Sequence, residues 1–389
     1  MAELLERRFF ELLQVALGKR AEMSENPSDS DWEVLYDEAW KQSVAGICFA
    51  GIQKLPEAQR PPEDLYYQWL GDMLQIQQQN ELLDQRTATV WRQLKEAGLD
   101  AVVLKGQGVA VMYDIKEKKE NVNLGTLRQS GDIDIWVKGG YQTVCDYVQR
   151  TAPTDDVAYH RFHYDVFEDT EVELHHRPTL MRNLLDDRKL ARWYESFGAG
   201  SFVYLEDKGF AVPPLEFNRI FILTHIYRHF LFEGIGLRQV MDLYFVLKGR
   251  IEITETKENL LNTDRTDGTD EERVLMELRL TRFAEAMMWL LHTRFGLEEK
   301  YLMCGMNEKE GRFLLNEIMQ TGNFGQGDER YQFKRFYKLR HHIAHGSHLL
   351  MHYPSEVLWT PIWLMYHKVW KWRKKREIRR MVRIKDVNS

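Results

Sequence analysis

The segment Gly131-Asp132-Ile133-Asp134-Ile135-Trp136-Val137 constrains the fold of this chain more than any other. Acidic and aliphatic residues alternate with a period of two, the period of a β-strand. Residues i and i+2 of a strand share a face. Asp132 and Asp134 therefore present two carboxylates side by side, while Ile133 and Ile135 point into a core. Adjacent carboxylates repel unless something cationic lies between them. The surrounding sequence has the same β texture. AVVLKG (101–106) reads as a buried strand ending in a glycine turn, and HRFHYDVFED (160–169) and TEVELHHR (170–177) read as two strands of a meander. A short helix over 107–113 and another over 141–150 complete a small mixed α/β unit.

Outside that unit the apolar residues follow helical spacing. Phe9, Leu12, Leu13 and Ala16 recur at i, i+3, i+4 and i+7. Asp31 is placed to cap the next helix, and Pro56, Pro61 and Pro62 interrupt the pattern. A long helix is expected over 63–97, with Gly98 as its C-terminal cap. Further helices are expected over 218–232, 236–247, 274–295 and 308–321. The polar stretch 114–128, which contains Gly125, reads as a loop or lid. Residues 250–272 are polar and turn-rich and read as a mobile loop or a subdomain boundary. The expected class is α+β: a small mixed sheet flanked by N-terminal and C-terminal helical regions. The expected layout is a helical region over 1–98, the α/β core over 99–178, a helical domain over 179–350 and a basic, Trp-rich helix or tail over 351–389.

Composition narrows the function classes. Of 389 residues, 44% are apolar and 29% charged, an ordinary globular balance that permits a sizeable core. The formal net charge of -6 argues against a general polyanion binder, although 368–385 is dense in Lys and Arg and 264–272 is acidic. Cys48, Cys145 and Cys304 are odd in number and widely spaced, which suits a reducing compartment rather than a disulfide framework. The N-terminal residues mix Glu and Arg with apolar residues and lack the uncharged core of a signal peptide. No run approaches the roughly 18–20 apolar residues that span a bilayer. A cytoplasmic location is expected.

The paired aspartates suit a divalent ion. Hard oxygen ligands with open coordination positions fit Mg2+ or Mn2+, which keep waters and substrate phosphates in their shells. A third carboxylate is expected from a neighbouring strand. In TEVELHH, Glu171, Glu173 and His175 share one face. Glu173 is the central choice and Glu171 the runner-up. The alternative is two solvated acids at a strand end. Upstream, Leu104-Lys105-Gly106-Gln107-Gly108 ends a strand and opens a helix. Its glycines permit close backbone approach, and Lys105 adds a point charge for phosphate. Such turns also serve packing, and this one does not match a P-loop. Arg128, four residues before Asp132, either neutralises a triphosphate or pairs with an Asp.

These residues carry a family resemblance. Leu104-Lys105-Gly106, then Arg128 to Val137 as R-x-x-G-D-I-D-h-x-V, then Glu173-Leu174-His175, resemble the bacterial uncharacterised nucleotidyltransferase family of the polymerase beta-like superfamily. The helical segment from His225 to Asp242 extends the likeness, which spans roughly 30–250. The resemblance implies a two-metal transfer of a nucleoside monophosphate from an NTP, such as ATP, to an acceptor hydroxyl, with pyrophosphate leaving. Asp132, Asp134 and Glu173 would be the metal-binding catalytic residues, and Lys105, Gly106, Gln107, Arg128 and Gly131 would contact the nucleotide. The acceptor is open between a small molecule, a glycan precursor, a protein and RNA. Two departures stand out. The turn reads Gly106-Gln107 where the superfamily has Gly-Ser, and the spacer before Asp132 is long and charged. Either a changed nucleotide pocket or lost activity follows. The competing reading is accordingly a catalytically degenerate member that binds a nucleotide or a partner.

Three other clusters have bland and functional readings. His225 and His229, with Arg238 and Asp242, recur at i, i+4. Helix packing plus an Arg238–Asp242 pair competes with a cleft-lining role. His341, His342, His345 and His348 read as a polar helix end or as a transition-metal site. The Trp- and Lys/Arg-rich C-terminal stretch is an amphipathic helix on the core, a peripheral contact for an anionic membrane, or a nucleic-acid surface.

Overall fold

The computed structural model describes residues 2–117, 120–249, 269–325 and 348–388. The architecture is α+β, with a small mixed sheet set among helices. Three N-terminal helices, Ala2–Ala16 (α1), Asp29–Lys41 (α2) and Ala45–Lys54 (α3), precede a long helix, Glu63–Glu96 (α4). The cap on α2 falls three residues earlier than expected. Ser28 accepts from the Asp31 backbone N–H while Asp31 reaches back to Ser28, and both orphan donors are thereby satisfied. Gly98, at φ +76°, lets the chain reverse after α4, as its position predicts.

Strand β1 (Ala101–Val103) follows, then a single helical turn at Gln107–Ala110 (α5). The expected loop over 114–128 contains a hairpin, β2 (Asp114–Glu117) with β3 (Glu120–Asn123), before a 3-10 turn at Leu124–Leu127. Charged side chains hid this ribbon, because a two-stranded ribbon need not alternate apolar and polar residues. The central sheet then continues with β4 (Ile133–Val137), helix α6 (Gly140–Thr151), β5 (Arg161–His163) and β6 (Val172–His175). Its spatial order is β1-β4-β6-β5. β1 runs antiparallel to β4, β4 parallel to β6, and β5 antiparallel to β6.

The register fixes the site. Asp134 lies opposite Glu173, and Trp136 opposite His175. Strand β4 is buried along its whole length rather than having a wet face. Ile133, Ile135 and Val137 join Val144, Val172 and Leu174 in one apolar cluster. Trp136 belongs to the other cluster and stacks on Phe217 at 5.5 Å. The carboxylates therefore sit on the sheet face that carries Trp136, opposite the face packed on α6.

Leu184–Glu195 (α7) comes next. A second hairpin, β7 (Val203–Leu205) with β8 (Phe210–Val212), interrupts what the sequence reads as purely helical chain. Helices α8 (Leu215–Phe232) and α9 (Leu237–Lys248) then pack as a pair. α10 (Thr269–Glu277), α11 (Thr281–Phe295) and α12 (Glu308–Thr321) follow, and α13 (Pro354–Asn388) closes the chain. Of the expected loop over 250–272, residues 250–268 lie outside the described residues, and Thr269 already begins α10. His341, His342 and His345 also lie outside the described residues. His348 pairs with Glu317 at 3.0 Å. Among the described residues, no helix is long and apolar enough to cross a membrane.

Candidate active site

β1 ends at Val103, and the Leu104 N–H still donates to the Asp134 carbonyl at 2.9 Å, so the sheet ladder carries Lys105 up beside the aspartates. Gly106 then turns at φ +59°, and a Cβ there would sit 3.2 Å from the Asp132 carbonyl oxygen. Only glycine makes that turn without strain. A side chain at Gly108 would meet the Val103 carbonyl at 2.5 Å, so this glycine serves close packing.

Lys105 Nζ is 3.0 Å from Asp132 Oδ2 and 3.0 Å from Asp134 Oδ2. The ammonium thus supplies the cation that two neighbouring carboxylates require. Burial works to lower the Lys105 pKa, but the charges of Asp132 and Asp134 outweigh it and the net shift is upward. Asp134 is fully buried. Burial pushes its carboxyl up, whereas Lys105 and the His175 hydrogen bond together bring it well below the usual carboxylate range. His175 Nε2 donates to Asp134 Oδ1 at 2.8 Å and lies 3.4 Å from Glu173 Oε2. Burial lowers the His175 pKa, against the pull of Asp134. Glu173 also contacts Arg161 across the antiparallel β5–β6 pair.

Ligand atoms of Asp134, Glu173 and His175 lie within 4.8 Å of one another, a spacing that suits a shared cation. Asp132 is not part of that group. It precedes β4, its side chain is 34% exposed, and it joins the cluster through Lys105. Glu171 also falls outside β6 and pairs with His163 at the sheet edge, 3.1 Å away. Asp134 Oδ2 is buried without a hydrogen bond of good geometry, although Lys105 is close. A carboxylate held ionised, with Glu173 beside it and only the Lys105 ammonium on its second oxygen, has the chemistry of a cation ligand.

A cleft opens between Lys105 and Asp132 on one side and the α8–α9 pair on the other, while Asp134, Glu173 and His175 lie behind its wall and are not among its lining residues. Lys105, Gly106, Arg128, Gly131, Asp132 and Arg238 are among the residues that line it. Arg128 is buried and grips Asp242 with two bonds, Nε to Oδ1 at 2.7 Å and Nη2 to Oδ2 at 2.8 Å. Tyr113 adds a third bond to Asp242 Oδ1 at 2.6 Å. The ion pair thus joins positions 128 and 242, rather than the i, i+4 pair of Arg238 with Asp242 read from helical spacing. Arg238 is left with the Gln129 carbonyl at 2.7 Å, and its Nε is buried without a partner. It has no carboxylate within ion-pairing distance among the described residues, and burial lowers its pKa. Gln107 turns away from the cleft: its side-chain amide donates to the Asn80 carbonyl and to Asp84 on α4. α5 has only four residues, too few to offer a phosphate the dipole expected of a helix N-terminus.

Histidines back the cleft from α8. The His225 and His229 rings lie 4.4 Å apart, and burial lowers both pKa values, His225 far below its ordinary value and His229 to about 4. His229 Nδ1 is 2.6 Å from Glu233 Oε2.

A family model described as "Uncharacterised nucleotidyltransferase" matches residues 28–296. The chain belongs to that nucleotidyltransferase family. No curated protein matches the chain, and no solved structure does.

Proposed function

We propose that this family member transfers a nucleoside monophosphate from an NTP to an acceptor hydroxyl, with a divalent ion, Mg2+ or Mn2+, at the carboxylate cluster. The observation that carries this reading is Asp134. It is fully buried, held ionised by Lys105 and His175, placed opposite Glu173 by strand register, and met on Oδ2 by the Lys105 ammonium alone, at 3.0 Å. Lys105 offsets part of the cost of that buried charge, and with Glu173 and Asp132 beside it the cluster holds more carboxylate than Lys105 alone matches, which is what a divalent ion would serve.

Asp134 and Glu173 would hold the ion, with Asp132 completing the set from the rim and His175 orienting Asp134. Such an ion, when bound, supplies Lewis-acid charge to the phosphates and favours the ionised acceptor hydroxyl. The chain's own residues do the positioning. Lys105 keeps its proton beside the aspartates and offers a point charge to phosphate. Arg238 brings a guanidinium with donors to spare into the same cleft. Arg128 has its charge matched by Asp242, so it shapes the wall and adds little net charge. Phe324 borders the cleft with 44% of its surface exposed and a left-handed backbone, φ 52°. The Arg238 guanidinium lies 5.9 Å from the Phe324 ring centroid and His229 meets that ring edge-on at 5.4 Å, so a base would stack on the face left exposed.

The test is calorimetric binding of a non-hydrolysable NTP with and without Mn2+, repeated with Asp132→Asn and Asp134→Asn, followed by incubation of labelled NTPs with cell extract. Mn2+-dependent binding that both variants lose supports the proposal. Binding indifferent to Mn2+ and to both aspartates overturns it. One observation favours the degenerate reading: Gln107 replaces the small hydroxyl residue of the phosphate turn, and its amide is committed to α4. Persistent NTP binding with no labelled product under any divalent ion would support that reading.

A further inference from the structure

We propose that the outer face of α13 is a docking surface for an anionic lipid bilayer. The inner face of this helix is fixed to the protein. Glu356 accepts the backbone N–H groups of Arg182 and Asn183 at 2.7 and 3.1 Å. Trp363 and Ile378 are buried, Trp370 packs on Tyr141 and Tyr159, and Lys375 and Arg379 bind Asp155. Contacts from Glu356 to Arg379 therefore hold this stretch of the helix against the protein.

The outer face has a different composition. Leu358, Ile362, Met365, Val369 and Trp372 recur at alternating steps of four and three, which places them on one stripe. Each is between 53 and 73% exposed. At 1.5 Å per residue the stripe is about 21 Å long. Beyond Trp372 the same stripe turns cationic. Arg376 and Arg380 continue it and Arg373 lies beside them, none with a carboxylate partner among the described residues. Trp372 stands at the junction, with the Arg376 guanidinium over its ring at 5.6 Å.

This order decides between occupants. A second copy pairing in parallel would set Arg376 against Arg376, and an antiparallel copy would lay cations on the apolar half. Either arrangement repels or strands charge. A nucleic acid would use the arginines but gain little from Leu358, Ile362, Met365 and Val369, which have no aromatic face to stack. A bilayer of anionic lipid satisfies both halves: apolar side chains enter the acyl boundary, Trp372 sits at headgroup level, and the arginines meet lipid phosphates.

The experiment is co-sedimentation of the full chain with vesicles of phosphatidylcholine alone or mixed with phosphatidylglycerol. Each cation near an anionic surface contributes roughly fivefold, so the three arginines should favour the anionic vesicles by roughly a hundredfold. Arg373→Glu, Arg376→Glu and Arg380→Glu combined should abolish that preference. Met365→Asn with Val369→Asn should weaken binding roughly tenfold or more. All these side chains are exposed, and an unchanged circular dichroism spectrum would confirm folding. Three results would overturn the proposal. They are equal partition onto neutral and anionic vesicles, RNA binding through these arginines without vesicle binding, and a dimer that Met365→Asn splits.

Discussion

Two clusters of buried charge, one lining the cleft through Arg128 and Asp242 and one reaching it through Lys105 and Asp132, differ in how their charges are matched. Around Asp242 the account closes: both oxygens accept from Arg128, Tyr113 adds a third bond, and one positive charge meets one negative charge. Around Asp134 it does not close. Asp132, Asp134 and Glu173 face Lys105 and Arg161, His175 is shared between two carboxylates, and one Asp134 oxygen lacks a well-aligned donor. A matched pair holds a structure together. A cluster with three carboxylates against two fixed cations keeps capacity for a further cation. Neighbouring charges of similar burial can thus be assigned different roles from their hydrogen-bond inventories alone.

The comparison breaks most visibly if the two sites respond alike to losing a charge. Asp134→Asn should weaken Mn2+ binding by a factor on the order of a thousand, measured by calorimetry or electron paramagnetic resonance. Its folding stability should fall less than that of Arg128→Ala, because Lys105 keeps Asp132 as a partner. Arg128→Ala leaves Asp242 buried and unpaired, and urea denaturation should show a loss of about 3–5 kcal/mol. A larger loss for the first variant than for the second would reverse the assignment.

Glu356 offers a third kind of buried charge. Burial raises its pKa from 4.5 to about 7, against two backbone N–H donors. The folded state therefore holds a proton that the unfolded state releases, and stability falls as pH rises from 4.5 to about 7. Melting curves across that window should show a decline worth up to about 3 kcal/mol, and Glu356→Gln should flatten it. The smallest effect belongs to Arg238→Ala. NTP affinity should drop by the worth of one charged hydrogen bond, about 1.5–3 kcal/mol, with the melting temperature nearly unchanged. A large stability loss instead would place Arg238 with Arg128 as a structural group.

Much of this site is legible in the sequence because strands project side chains with a period of two. That period puts Asp132 and Asp134 on one face and groups Glu173 with His175. The position of Glu173 opposite Asp134 then follows from parallel pairing. The same reasoning overextends β4 by one residue and treats Asp132 as equivalent to Asp134, although only Asp134 is inside the strand and buried. Arg161 is not legible in the sequence because its contact with Glu173 depends on the register of β5 on β6. Arg128 and Asp242 are 114 residues apart, and local helical spacing offered Arg238 as a nearer partner. The β2–β3 and β7–β8 hairpins are hard to read from sequence because their strands are only three or four residues long and lack a polar–apolar alternation.

The parallel pairing of β4 with β6 also bears on how the molecule assembles. Asp134 and Glu173 come together only after α6 and β5 have closed the connection between their strands. Closing so long a connection is slow relative to forming a helix or a hairpin. No shorter fragment ending before Val172 contains the pair. During synthesis the chain must be complete past His175 before the cluster exists, so any ion the cluster takes would be taken up only in the late steps of folding.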